Sequence, residues 1–148
     1  MPVITCDVTL HDVDRDTTFA WLREPENHRS VLEGAFSRVE CVGAGVFELD
    51  LALTAKLSHK LCYEFVRFDE EHGGRRIHVR TLGRRVKGTL RYSLSPAKPG
   101  TDTLVTLHLD YSPGRVLGLL VDRLMLRQAL EGASHSMLQN LAGALGPE

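Results

Sequence analysis

The chain has 148 residues, three cysteines and a formal net charge of −1, from 18 Lys+Arg against 19 Asp+Glu. That length suits one domain, 1–148, with a real core. The charge balance excludes a general pull toward nucleic acid or an anionic membrane. Cys6, Cys41 and Cys62 are odd in number and lack CxxC spacing, so they read as buried thiols in a reducing compartment, not as disulfides or zinc ligands. No basic-then-apolar leader opens the chain, and no apolar run is long enough to span a bilayer. The expectation is a soluble cytoplasmic protein.

Residues 3–10 alternate, with Ile4, Cys6, Val8 and Leu10 on one side, which predicts a half-buried strand. Asp14, Arg15 and Asp16 open a short helix carrying Phe19, Trp21 and Leu22, its acidic start suited to the helix dipole. Glu24-Pro25 ends it, and Pro25 starts a second short helix that runs through Leu32 and is closed by Gly34. Strands follow at 36–42, 46–56, 59–68, 76–82, 86–94 and 103–111, with 43–45 as a turn and 95–100 as a loop. Phe47, Leu49, Leu51, Leu53 and Ala55 face inward on the second of these. The register of 59–68 stays open, because Leu61, Tyr63 and Phe65 compete with Cys62, Val66 and Phe68. Ser112-Pro113 then signals the start of a long helix over 112–145. Strands followed by one long helix imply an α+β domain in which the helix buries its apolar side against the sheet.

That helix reads as two unlike halves. Leu117, Leu120, Val121 and Leu124 form one stripe, while Leu119 and Leu126 lie on the far side. Leu130, Ala133, Met137, Leu141 and Ala144 form a second stripe, displaced by about a quarter turn. Continuing the first stripe meets Gln128, Glu131 and His135 on one line. This line is either a cavity wall with an acid/base pair or, the favoured reading, a solvated Glu-His face.

The order of elements resembles the START-like helix-grip superfamily (SRPBCC), in its polyketide cyclase/dehydrase and lipid-transport branch. Three stretches carry the resemblance. The first is 16–32, with Phe19-Ala20-Trp21-Leu22 and Pro25-Glu26-Asn27. The second is the hairpin Lys87-Gly88-Thr89-Leu90-Arg91-Tyr92-Ser93-Leu94 with Gly100-Thr101 and 104–109. The third is the helix 117–145. The resemblance implies a seven-stranded antiparallel sheet curled around a long C-terminal helix, with two short helices after the first strand. It also implies an apolar cavity for a hydrophobic ligand.

Three functional readings follow. The first is binding or transport of a lipid, quinone or polyketide-like molecule. Its walls would be Phe47, Leu49, Leu53, Leu107, Leu117, Leu120, Leu124 and Met125, with polar contacts from Tyr63, Tyr92, Tyr111 and Gln128. Tyr92 and Tyr111 fall on the inward register. Each tyrosine taken singly reads as a core aromatic; together they would line a cavity. The second reading is a cyclase, aromatase or dehydratase using Tyr92, Glu131 or His135 to move protons. The third is an interaction module, docking through the apolar first half of the helix on a protein partner, a membrane surface or a second copy of the chain as a homodimer. No cofactor or metal is expected, since no HxH, HExxH or phosphate loop occurs. The basic run Arg75-Arg76-Ile77-His78-Val79-Arg80 reads as a solvated face with acidic neighbours.

Overall fold

A computed structural model describes residues 3–54, 58–70, 74–83, 87–98, 101–112 and 120–145, with backbone alone at Lys98 and 120–123. The elements are β1 (Val3–Leu10), α1 (Arg15–Arg23), α2 (Pro25–Leu32), β2 (Arg38–Gly43), β3 (Val46–Ala52), β4 (Ser58–Asp69), β5 (Arg75–Gly83), β6 (Lys87–Lys98), β7 (Asp102–Ser112) and α3 (Leu120–Leu145). The strands form one curved antiparallel sheet in the order β1-β7-β6-β5-β4-β3-β2.

Local chemistry sets the boundaries. Asp14 caps α1 by accepting the Thr17 N–H at 2.7 Å, and that bond holds its carboxyl below the usual range. Pro25 occupies the first turn of α2, where no N–H is needed. Gly34 takes φ +86° just past the end of α2. On the outer sheet face, Arg38 pairs with Asp50 at 2.9 Å and Arg80 pairs with Glu64. Within the basic run, Arg80 is thus paired across the strands and Arg75 is paired with Asp16 at 3.2 Å.

Two strand ends differ from expectation and one open register is resolved. β3 stops at Ala52, so Leu53 lies past its end, half-buried against the core, while 55–57 fall outside the described residues. β6 runs on through Pro96 to Lys98. Its pairing with β5 ends at Leu94, so a proline two residues later interrupts no ladder on that side. The register of β4 resolves through a bulge between Phe65 and Arg67. Leu61 and Tyr63 are buried on the inner face, Val66 is pushed out to 49 % exposure, and Phe68 returns inward opposite Ile77. The strand thus satisfies both competing sets in turn. Ser112 closes β7, and the expected helix start at Pro113, with 113–119, lies outside the described residues.

The inner face reads as rungs across the strands. One rung joins Cys6, Leu107, Tyr92, Ile77 and Phe68. The next joins Ile4, Leu109, Leu90, Val79 and Phe65. A third joins Tyr111, Gly88, Thr81, Tyr63 and Phe47. On α3, Leu126, Leu130, Ala133, Met137 and Leu141 are buried, whereas Leu124 is 58 % exposed. The two stripes are nearer half a turn apart than a quarter. The longer second stripe fixes the rotation of the rod, and Leu124 follows it outward. Ala144, near the helix end, is exposed. Asn140 donates to the carbonyls of Val31 and Glu33 at 2.9 and 2.8 Å, tying α3 to the end of α2.

A Cβ on Gly88 would meet the Asp110 carbonyl oxygen at 2.0 Å. Gly88→Ala should therefore lower stability by about 2–3 kcal/mol in urea unfolding. Gly132→Ala, where a Cβ meets nothing within 4 Å on α3, should raise stability by up to about 1 kcal/mol.

Candidate functional site

Three tyrosines converge on the inner face, and the fold treats their hydroxyls differently. Tyr111 is buried, which pushes its phenol up, but Arg127 stands beside it and opposes the shift. Tyr63 is buried between Phe47 and Thr81 on its rung, and burial raises its phenol far above the usual range. Tyr92 is 0 % exposed, and its hydroxyl has no hydrogen-bond partner among the described residues. Desolvation raises its pKa furthest, with Tyr63 and Cys6 near enough to add to the effect. Thr81 Oγ1 is likewise buried without a partner among the described residues. A buried phenol left unpaired costs free energy on the order of 1–3 kcal/mol, so something has to offset it.

His28 meets this cluster from α2. Its Nε2 donates to the Leu22 carbonyl, and the neighbouring Asn27 donates to the Trp21 carbonyl at 2.8 Å. The first bond satisfies a carbonyl that the end of α1 leaves open, and the second joins the Glu24 N–H on the Trp21 carbonyl. A carbonyl can only accept, so the proton sits on Nε2 and Nδ1 is left as an acceptor. That nitrogen has no partner among the described residues. The ring lies 3.9 Å from Phe65 and edge-on to Tyr92 at 6.3 Å between centroids. Burial lowers its pKa from 6.5 to about 4, the Leu22 bond opposing that shift. The imidazole is therefore neutral at physiological pH. Sequence reading passed over His28, although it shares the buried face of α2 with Val31 and Leu32 at i, i+3 and i+4. Thr81 was also missed, although it extends the inward alternation of Ile77 and Val79.

Of the expected ligand contacts, Phe47, Leu49, Tyr63, Tyr92, Leu107 and Tyr111 are gathered on the buried inner face. Leu53 and Met125 are half-buried. Leu124, Gln128, Glu131 and His135 lie together on the exposed side of α3, so the line was read correctly and its direction is outward. Glu131 pairs with Arg127 at 3.0 Å, and His135 shares a hydrogen bond with Gln139 at 3.2 Å. Leu117 lies outside the described residues, as does the side chain of Leu120.

A sheet in this order, gripped by a long C-terminal helix, is shared with many solved structures. The ZhuI aromatase/cyclase from Streptomyces sp. R1128 superposes with a TM-score of 0.67 at 17 % identity, covering 97 % of this chain and 93 % of its own. Norcoclaurine synthase from Thalictrum flavum gives 0.64 at 15 %, covering 99 % and 87 %. A START superfamily protein from Mycobacterium smegmatis gives 0.64 at 13 %, covering 96 % and 98 %. The chain has the START-like helix-grip fold. No family model matches it, and no curated protein matches it in sequence. In this helix grip the sheet supplies the tyrosines and α2 supplies the histidine. Among the described residues no cluster of His, Cys, Asp or Glu could hold a metal, and no helix is long and apolar enough to cross a membrane.

Two outcomes follow from these placements. Between pH 6.5 and about 4 the unfolded chain protonates His28 while the folded helix grip keeps it neutral. Stability should therefore fall as pH drops through that window, by up to about 3 kcal/mol, and His28→Phe should flatten the slope in urea titrations. Glu131→Gln and His135→Gln, both on the solvent side, should each leave stability within about 0.5 kcal/mol of the parent.

Proposed function

We propose that this protein binds, and by binding carries, a hydrophobic small molecule between the sheet and the C-terminal helix. Lipids, quinones and polyketide-like chains are the ligand classes that suit such an interior. The observation that carries the reading is the Tyr92 hydroxyl, fully buried without a partner among the described residues, on an inner face built mainly of apolar side chains. A ligand with one polar group would complete it, and its apolar remainder would gain roughly 25 cal/mol for each Å² removed from water. Phe47, Leu49 and Leu107 would act as walls, with Tyr63 and Tyr92 as polar contacts.

The similarity to an aromatase/cyclase favours an enzymatic reading as the alternative. A cyclase or dehydratase needs an acid and a base poised near the working pH. Glu131 and His135 are turned to solvent, which removes the pair expected for that chemistry. The interior pair that remains is Tyr92 and His28. Burial raises the pKa of one and lowers that of the other, so at neutral pH both are uncharged and reluctant to exchange protons. Such a pair supports hydrogen bonding to a bound molecule better than proton transfer.

Native mass spectrometry of gently purified protein should show a copurified hydrophobic ligand. A fluorescent fatty acid or quinone should bind and be displaced competitively. Protein that carries nothing and takes up neither probe would overturn the reading.

A further inference from the structure

The His28 ring borders a small cavity of about 120 Å³, otherwise lined by Pro25, Ala44, Gly45, Phe65 and Phe68. A dry space of this order holds about one six-membered ring. Outside it lies a larger cleft of about 680 Å³, reaching Glu24, Cys41 and Phe47. The two spaces share Pro25, Ala44 and Gly45, so they adjoin. Together they run from the surface, between the first turn of α2 and the β2–β3 turn, to the His28 ring; the Tyr92 ring lies behind it, edge-on at 6.3 Å between centroids, and lines neither space.

The chemistry at the inner end is specific. His28 Nδ1 can only accept, because Nε2 holds the proton for the Leu22 carbonyl. The Tyr92 hydroxyl has a proton to give. A hydroxyl group donates and accepts at once, so one ligand hydroxyl can answer both. A carbonyl or an ether can answer only Tyr92, and a hydrocarbon answers neither. The aromatic lining from Phe65 and Phe68 suits a flat ring behind that hydroxyl.

We propose that the protein selects ligands with a phenol-type head, which enter by the cleft between α2 and the β2–β3 turn and seat their hydroxyl between His28 and Tyr92. This rests on the hydrophobic-ligand reading, moves the ligand's head to the α2 side of the sheet, away from α3, and adds the polar group the ligand carries, the residues that recognise it and the way in.

The test uses the full chain and three matched probes in calorimetric titrations: 4-hexylphenol, its methyl ether and hexylbenzene. The phenol should bind at least about tenfold tighter than the ether. Tyr92→Phe and His28→Phe should each bring the phenol to within about twofold of the ether. Tyr92→Phe keeps the ring and so keeps the test alive if His28→Phe fails to fold. Equal affinities for phenol and ether in the parent protein would overturn the hydroxyl assignment. Uptake of a fatty acid or quinone without any binding of 4-hexylphenol would overturn this inference and leave the broader one standing. Failure of every probe would overturn both. The route has its own readout, because Cys41 borders the cleft and is exposed, whereas Cys6 and Cys62 are half-buried with raised pKa values. In a chain carrying Cys6→Ser and Cys62→Ser, saturating 4-hexylphenol should slow alkylation of Cys41 by N-ethylmaleimide severalfold. An unchanged rate would place the entrance elsewhere.

Discussion

The inner face of the sheet has to be kept from water, and that requirement positions every helix. An antiparallel sheet can leave one face wet, and here the outer face carries paired charges such as Arg38 with Asp50. The inner rungs carry Leu90, Leu107, Leu109, Val79 and Ile77, all buried. Covering them is the work of α2 and α3. The long helix is held near both ends, by Arg127 donating to the Val3 carbonyl at 3.2 Å and by Asn140 donating to the end of α2. These tethers and the buried stripe act together, so the rod has one rotation. Leu124 is the residue left outside by that choice.

Putting tyrosines on a concave face has an electrostatic consequence. Their hydroxyls are carried to where water is excluded, and each must find a partner or remain a cost. Tyr111 lies near the helix and has Arg127 beside it. Tyr92 lies nearer α1 and α2, where the nearest polar ring is His28. His28 has already committed one nitrogen to the end of α1, and that commitment decides what the other can do. In the proposed reading a structural cap and a recognition element share one side chain. The capping bond fixes the tautomer, and the tautomer fixes the kind of ligand group that can be received.

The strands were legible because alternation is a local property. Ile4, Phe47, Val79, Leu90, Tyr92 and Leu107 could be turned inward from spacing alone, and they are buried. The register of β4 could not be decided, because the bulge that reconciles its two halves depends on pairing with β5. Pro96 looked like a loop residue because the sequence does not show where the neighbouring strand stops. On the helix, the line through Gln128, Glu131 and His135 was visible, but its direction depends on which stripe wins the sheet. The polar centre was half-legible. Tyr92 was read from its strand, while His28 was not, because a histidine within an eight-residue helix looks like surface until its face is packed.

The bulge in β4 divides one strand into two parts with opposite phase. Before it, odd-numbered residues such as Leu61 and Tyr63 are buried; after it, Phe68 takes the inner side and Arg67 and Asp69 face out, bonded to each other at 2.8 Å. Val66 is the extra residue that the bulge absorbs, since Phe65 pairs with Val79 and Arg67 with the very next residue, His78. Its side chain contributes little packing. Were the strand to run on past Val66 as a regular ladder, Arg67 and Asp69 would turn to the interior and Phe68 to water, undoing the aromatic wall beside His28. A chain lacking Val66 would keep Phe68 opposite Ile77 by plain alternation, with no bulge to form. Tolerance at this position should thus be wide for substitution and for deletion alike.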